Sequence, residues 1–164
     1  SIKVMSKPLR WLVPALVVLL LAASPFLRVE MSAGGIEAMP IDPTLPYDDE
    51  NIFAKILLGE IPSNKVYEDE WAFAFEDINP QAEIHTLVIP KGRYVSWDDF
   101  STKASAEEIA GFVRAVGEVA RAKGLVEPGY RLLANIGAHG GQEVPHLHVH
   151  IFGGRPLGPM ILRR

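Results

Sequence analysis

Side chains of two contrasting kinds alternate strictly in two segments of the chain, which predicts two β-strands with distinct faces. In residues 71–77, large aromatic side chains alternate with alanine. In residues 146–152, three histidines alternate with leucine, valine and isoleucine. His146, His148 and His150 would then line one face of a strand, roughly 7 Å from one another. Packing gives no reason for three imidazoles on one face, so this strand is predicted to be functional.

The remaining patterns predict further strands and two helices. Short apolar runs fit strands at 65–68, 86–90 and 130–135. A short helix is predicted over 51–58, with Asp48, Asp49 and Asn51 as alternative N-caps and Gly59 at its end.

A longer helix begins at Ser105, which forms a capping-box signature with Glu108, and ends at Gly124. Its apolar residues recur at helical spacing: Ile109, Phe112, Val113, Val116 and Ala120. Strands that come in runs, with one long helix between them, favour the α+β class with a mainly antiparallel sheet.

The first forty residues differ from the rest. Residues 11–27 carry no charge and follow the basic residues Lys3, Lys7 and Arg10. This arrangement is typical of a secretory signal peptide. The same 17-residue stretch is at the short limit for a membrane anchor.

In a third interpretation, the leader lies outside the native protein. The chain begins with Ser1 rather than methionine, and Met31 and Met39 are both possible initiators. All three interpretations stay open. Residues 1–38 are accordingly treated as a leader, 39–47 as a linker and 48–164 as the folded domain.

Composition narrows the function classes. The chain has 164 residues, of which 48% are hydrophobic and 22% charged, values typical of one globular domain. A formal charge of −4 argues against a general nucleic-acid binder. Since the chain has no cysteine, disulfides, thiolate metal sites and cysteine nucleophiles are excluded.

Three roles are open for the row of histidines. Two histidines at i and i+2 could share a zinc ion with Glu143 or His85, although no supporting carboxylate is evident in the local sequence. The imidazoles could also be exposed without a function. Alternatively, a neutral imidazole could attack phosphorus, with the glycine-rich residues 137–142 bringing backbone N–H groups close to an anion. The last role accounts for most of the surrounding sequence.

The segment His-Leu-His-Val-His-Ile-Phe at 146–152 resembles the signature of the histidine triad family. Other segments occur in the family's order, at 52–61, 75–82, 85–91 and 140–142. The ending at 153–160 resembles the bacterial histidine triad nucleotide-binding proteins in particular. The resemblance covers residues 48–160 and leaves the leader outside.

The resemblance implies a five-stranded antiparallel sheet with two helices, and a homodimer whose sheets join into ten strands. It implies binding of purine nucleoside monophosphates and hydrolysis of phosphoramidates, such as adenosine 5′-monophosphoramidate, through a nucleotidyl-histidine intermediate. No metal or organic cofactor is expected. Two alternatives are a dinucleoside polyphosphate hydrolase and a non-catalytic nucleotide-binding interaction partner.

The resemblance also implies roles for individual residues. His148 matches the nucleophile, oriented by the backbone carbonyl of His146, and His146 and His150 match phosphate contacts. His85 matches a fourth histidine that assists the triad, and Asn135 matches a phosphate-site asparagine.

For the nucleoside, Asp77 matches the carboxylate that binds the ribose hydroxyls. Gln142 is expected to contact the phosphate or the leaving group. The residues that match the apolar pocket for the base are Ile52, Phe53, Ile56, Phe75, Ile78 and Leu87. Ordinary core packing is the alternative for these six.

Glu143 departs from the animal relatives, which carry a hydroxyl residue there. An ionised carboxylate repels phosphate, so Glu143 is expected either to give a proton to the leaving amine or to point to solvent. The resemblance also implies cleavage of aminoacyl adenylates. A cytoplasmic location is expected, because such chemistry is unusual elsewhere. Membrane contact is expected only if residues 11–27 belong to the native protein.

Overall fold

Five antiparallel strands form a single sheet in the computed structural model, which describes residues 39–162. The strands are β1 (Lys65–Glu68), β2 (Ala72–Glu76), β3 (Ile84–Pro90), β4 (Arg131–Leu133) and β5 (Val149–Gly153). Their order across the sheet is β1-β2-β3-β5-β4, so β1 and β4 are the two edges. The register of β1 on β2 shifts between Lys65 and Tyr67. The predicted α+β class and the antiparallel sheet are confirmed.

Four helices accompany the sheet, and they are α1 (Ile52–Leu57), α2 (Trp97–Lys103), α3 (Ala106–Ala122) and α4 (Gly137–Gly140). Helices α1 and α3 correspond to the two predicted helices. Helix α2 was not predicted, although it begins with a capping box in which the Ser96 side chain and Asp99 bond each other's backbone N–H groups. Helix α4 lies in the segment that was predicted to be a glycine-rich loop.

Helix α3 covers one face of the sheet. The alanines of β2, Ala72 and Ala74, point to this face and are fully buried. Their small side chains let α3 lie close to the sheet, and Gly111 brings the helix against the Trp71 ring. A Cβ added at Gly111 would lie 2.2 Å from that ring, so a larger residue would push the helix outward. The predicted bulky and small faces of β2 therefore match the structure.

Helix α1 packs on the opposite face. Its N-cap is Asn51, whose side-chain oxygen accepts hydrogen bonds from the backbone N–H groups of Phe53 and Ala54. Phe53 then packs with Phe75 of β2 and Leu87 of β3 in a small buried cluster. Side chains of β5 that point to this face include His150, so α1 and the histidines share one side of the sheet.

Residues 39–47 belong to the same compact unit as the rest of the described chain, and their assignment as a linker stays a prediction. Pro43 lies against Gly137, where an added Cβ would be 3.3 Å from the proline ring. Tyr47 contacts His146. The predicted leader at 1–38 falls outside the described residues. Between residues 39 and 162, no helix has both the length and the apolar character needed to cross a bilayer.

Candidate active site

The three histidines of the motif lie at the start of β5 rather than along one regular strand. Only His150 is inside β5, because the strand begins at Val149. His146 and His148 precede the strand and are almost completely buried, with 0% and 5% of their surface exposed. The prediction that all three lie on one strand was therefore wrong for His146 and His148, and the ring of His146 also has different neighbours.

The backbone fixes the tautomer of His148. Its Nδ1 lies 2.7 Å from the backbone carbonyl oxygen of His146, and a carbonyl can only accept a hydrogen bond. Nδ1 therefore carries the proton, and in the neutral ring Nε2 keeps its lone pair. The Phe53 ring packs edge-on against this imidazole, with 5.1 Å between the ring centroids, and limits its rotation. This arrangement presents Nε2 as a nucleophile or a base.

Both ring nitrogens of His146 have partners within the protein. Nε2 donates to the Pro90 carbonyl oxygen at 2.9 Å, and Nδ1 lies 2.5 Å from the Tyr47 hydroxyl. No ring nitrogen is left for a phosphate oxygen, so the expectation that His146 contacts phosphate does not fit this structure. The ring anchors the residue whose carbonyl orients His148.

His85 and His150 form a second pair. The backbone N–H of Gln81 donates to Nδ1 of His85 at 3.1 Å, which places the His85 proton on Nε2. That Nε2 lies 2.8 Å from Nδ1 of His150 and donates to it. The proton of His150 is then on its own Nε2, which is buried and has no hydrogen-bond partner among the described residues. His150 thus offers an N–H donor for a ligand.

Burial keeps the imidazoles neutral. Burial is the main cause, and charge on neighbouring histidines a smaller one, of a pKa of about 4 for both His146 and His150. Burial also lowers the pKa of His148 and His85, although the carboxylate of Asp77 acts in the opposite direction on both. The neutral tautomers assigned from the hydrogen bonds therefore hold at neutral pH.

Asp77 adjoins the His85–His150 pair. Its Oδ1 accepts a hydrogen bond from the backbone N–H of Asn79, and its Oδ2 lies 3.3 Å from Nε2 of His85. One potential ligand atom from each of Asp77, His85 and His150 falls within 4.8 Å of the others, a spacing that a metal ion could bridge. A metal there would have to replace the His85–His150 hydrogen bond.

A cleft of about 230 Å³ opens beside His148 and His150. Its lining is mostly polar and consists of Asp77, Asn79, Gln81, Asn135, Gly141, Glu143, His148 and His150. The structure therefore brings together five of the residues predicted for the site: Asp77, Asn135, Glu143, His148 and His150. Asn79 and Gln81 were not predicted, although they belong to the same segment as Asp77.

Gln142 does not face the cleft, so the expected contact with phosphate or a leaving group does not fit. The residue is 4% exposed, and its side-chain amide donates to the carbonyls of Val95 and Val144. Its side-chain oxygen accepts from the backbone N–H of Gly137. The side chain is thus fully used in holding the turn between α4 and the histidines.

The glycine-rich segment also differs from expectation. It folds as α4 and ends at Gly141, whose φ of 73° is a left-handed conformation that glycine adopts without strain. The backbone N–H groups of Gly137, Gly141 and Gln142 all donate within this turn. They are therefore not available to an anion, and the segment contributes its tight geometry instead.

Glu143 is exposed and lines two adjoining depressions. One is the cleft beside His148, and the other is bordered by Asp48, Asn51 and Ile52. Its negative charge acts to raise the pKa of His148, against the larger effect of burial.

The six apolar residues predicted for the base divide into two groups. Phe53, Phe75 and Leu87 are at most 6% exposed and, with Ile56, form the buried cluster beneath α1. Core packing accounts for Phe53, Phe75 and Leu87, whose burial does not fit a direct contact with a base. Ile56 is half-buried, and its contact with a base stays a prediction. Ile52 and Ile78 are 51% and 87% exposed and are accessible to a ligand.

Comparison with known proteins agrees with this fold. The family model for the HIT domain matches residues 58–157. A HIT-like protein of unknown function from Azospirillum brasilense is 64% identical over 117 residues, covering 71% of this chain and 96% of its own. The purine nucleoside phosphoramidase of Escherichia coli is 45% identical over 117 residues, covering 71% and 97%.

Among solved structures, the HIT family hydrolase of Legionella pneumophila matches with a TM-score of 0.61 and 43% identity. The match covers 65% of this chain and 94% of the hydrolase. Oriented histidines at the start of β5 and the polar cleft beside them define a histidine-based candidate site. The chain belongs to the HIT domain family, and its relatives support a hydrolase activity.

Tyr47 and the Pro90 carbonyl are parts of the site that sequence reasoning missed. Neither belongs to the histidine motif. Tyr47 lies in the segment predicted to be a linker, where one aromatic residue among acidic and proline residues was the only available signal.

Proposed function

We propose that this protein is a purine nucleoside phosphoramidate hydrolase that acts through a nucleotidyl intermediate on His148. The observation that carries the proposal is the 2.7 Å hydrogen bond from His148 Nδ1 to the His146 carbonyl. It leaves the lone pair of Nε2 beside a polar cleft in a histidine that burial keeps neutral. The identity with the Escherichia coli phosphoramidase supports the same bond as the target.

The reaction proceeds in two displacements. Nε2 of His148 attacks the α-phosphorus, a bond from nitrogen to phosphorus forms, and the amine leaves with its electron pair and takes up a proton. A water molecule then attacks the same phosphorus, gives up a proton, and restores His148. The Nε2–H of His150 donates to a phosphoryl oxygen as negative charge develops there.

Nucleotide binding relies on the residues around this donor. The Asp77 carboxylate has lone pairs beyond those that face Asn79 and His85, and these can accept hydrogen bonds from ribose hydroxyls. Ile52 and Ile78 supply exposed apolar surface for a purine ring. Asn135 lines the cleft, and its side-chain amide is proposed to donate to phosphate.

The working form is proposed to be a homodimer that pairs through β4. An apolar groove of about 560 Å³ runs between this edge strand and α3. Large apolar side chains are exposed in this groove, and the exposed fraction is 54% for Val113 and 49% for Leu132. A contiguous exposed apolar patch is typical of a protein–protein interface. The other apolar side chains of the groove that are also exposed are Trp97, Tyr130 and Ile136. A cytoplasmic location is proposed with it, as suits a nucleotide hydrolase.

The first test is rapid-quench mass spectrometry of the intact protein with adenosine 5′-monophosphoramidate. We expect an adenylyl adduct in the wild type, with release of AMP. His148→Ala should form no adduct and lose turnover by at least about 10³-fold, since removal of a nucleophile leaves only binding and polar stabilisation. AMP binding by this variant should be largely retained.

Two controls separate the alternatives. Exposed His139 is matched to His148 in type but does not line the cleft, so His139→Ala should keep full turnover. A dinucleoside polyphosphate offered side by side identifies the preferred bond. Faster cleavage of that substrate, or AMP binding without any turnover, would refute the phosphoramidate assignment. Retained turnover in His148→Ala would refute the nucleophile.

A further inference from the structure

Tyr47 contacts the histidine cluster from a segment outside the matched HIT domain. The family match begins at residue 58, whereas Tyr47 lies eleven residues earlier in the chain. Its hydroxyl lies 2.5 Å from Nδ1 of His146, and the two rings meet edge to face with centroids 5.5 Å apart. Tyr47 is absent from the lining of the cleft beside His148.

The direction of this hydrogen bond follows from the opposite side of the ring. Nε2 of His146 faces the Pro90 carbonyl, which can only accept, so Nε2 carries the proton of the neutral ring. Nδ1 is then an acceptor, and the Tyr47 hydroxyl donates to it. Burial raises the pKa of the Tyr47 phenol, more than the Asn51 side chain lowers it, so the hydroxyl keeps its proton.

Tyr47 is itself held in place from outside. The Arg93 guanidinium lies over its ring, 5.2 Å from the centroid. The same guanidinium makes two hydrogen bonds, of 2.8 and 2.7 Å, to the carboxylate of Asp49. Arg93 thus contacts the segment at Tyr47 and again two residues later, and it stabilises the position of the phenol.

We propose that Tyr47 is a positioning residue that acts on His148 through His146. Its hydroxyl and the Pro90 carbonyl hold the two ends of the His146 ring, and the carbonyl of His146 fixes the tautomer of His148. Without the Tyr47 hydroxyl, Nδ1 of His146 becomes a buried acceptor with no partner, which favours a different ring orientation or tautomer. The carbonyl that orients His148 then moves with it. This inference rests on the proposed function.

The variant Tyr47→Phe tests the proposal, because it keeps the ring against His146 and Arg93 and removes only the donor. We expect kcat on adenosine 5′-monophosphoramidate to fall about tenfold, the effect of one buried hydrogen bond, while KM stays within about twofold. Nitrogen-15 NMR of the histidine rings should show a changed Nδ1 signal for His146.

The matched control is Tyr67→Phe, in β1 and away from the cleft. It removes a hydrogen bond of 2.8 Å from the phenol to the Asp69 carboxylate. It should change neither kcat nor the His146 signals. An unchanged kcat in Tyr47→Phe would overturn the proposal, as would an effect on KM alone or an equal loss in both variants. If the wild type itself has no turnover, the proposed function fails and the positioning role fails with it. The NMR spectra then still report whether the hydrogen bond exists.

Discussion

Residue scale

The roles of single residues depend on contacts that a motif does not contain. The alternation at 146–152 indicates which residues face the core, and Leu147, Val149 and Ile151 are indeed buried there. It gives no information on His146, because the two groups that bond its ring are 56 and 99 residues away in the chain. The family resemblance assigned both His146 and His150 to phosphate. Among the described residues, His150 is the one whose side chain has a buried N–H without a partner.

Burial of neutral His146 should make the fold sensitive to acid. Its pKa of about 4 in the folded protein is below the ordinary value of about 6.5, so the unfolded chain binds the proton first. The contribution of neutral His146 to the free energy of unfolding is complete above about pH 6.5 and is lost as the pH falls towards 4. We expect the titration of His146 alone to lower the free energy of unfolding by about 2 kcal/mol when the pH falls from 7 to 5.

Urea unfolding at the two pH values measures this effect. The variant His146→Asn removes the titrating group, so its free energy of unfolding should depend less on pH than that of the wild type. Exposed His139 provides the control, and His139→Asn should keep the dependence of the wild type. An equal pH dependence in all three proteins would contradict the argument.

Element scale

Local sequence predicted the central parts of the helices and strands better than their ends. Capping signals identified α1 and α3, and side-chain alternation identified β2. The start of β5 was placed three residues too early, because the residues before it keep the alternating pattern while their backbone leaves the ladder. The backbone N–H of Leu147 donates to the Tyr94 carbonyl instead. Helix α2 was missed although Ser96 and Asp99 form its capping box, since an aspartate at that position is a weaker signal than glutamate.

The cap of α1 connects local structure to the proposed base contact. Asn51 was one of three possible caps, and it is the one whose side chain holds the first turn that carries Ile52 and Phe53. Asn51→Ala should lower the free energy of unfolding by about 1 kcal/mol and weaken AMP binding as Ile52 loses its fixed position. Calorimetric titration with AMP measures the second effect.

The cap of α3 provides the comparison. Ser105→Ala removes an equivalent hydrogen bond, that to the backbone N–H of Glu108, on the far face of the sheet. It should cost a similar free energy of unfolding and leave AMP affinity unchanged. Equal affinities for AMP in both variants would show that α1 does not contribute to the nucleotide site.

Whole-molecule scale

The order of the strands across the sheet was not predicted, either from periodicity or from the family resemblance. Hydrophobic patterns identify strands but do not say which edges meet, because pairing is set by contacts between distant residues. The helix pattern included Val113 in the apolar stripe with Phe112 and Val116, yet Val113 is 54% exposed while Phe112 is 1% exposed. An exposed apolar residue at the border of the stripe fits the proposal that a second protomer covers this surface.

A charge in the groove should therefore separate the proposed dimer. Val113→Glu places a carboxylate where two apolar surfaces would meet, and we expect a monomer by light scattering at concentrations where the wild type is a dimer. Leu58→Glu is the control, since Leu58 is 70% exposed and does not line the groove. A monomeric wild type, or a dimeric Val113→Glu, would refute pairing through this groove.

The irregular register of β1 limits how far such pairing can extend. The ladder is interrupted between Lys65 and Tyr67, and this edge strand is only four residues long with a charged residue at each end. Such an edge is a poor template for another strand. The described sheet thus has one edge that is proposed to pair, at β4, and one edge unsuited to pairing, at β1. Two copies joined through β4 would present a β1 edge at both ends, so the assembly would be closed at the pair and would not grow into a fibre.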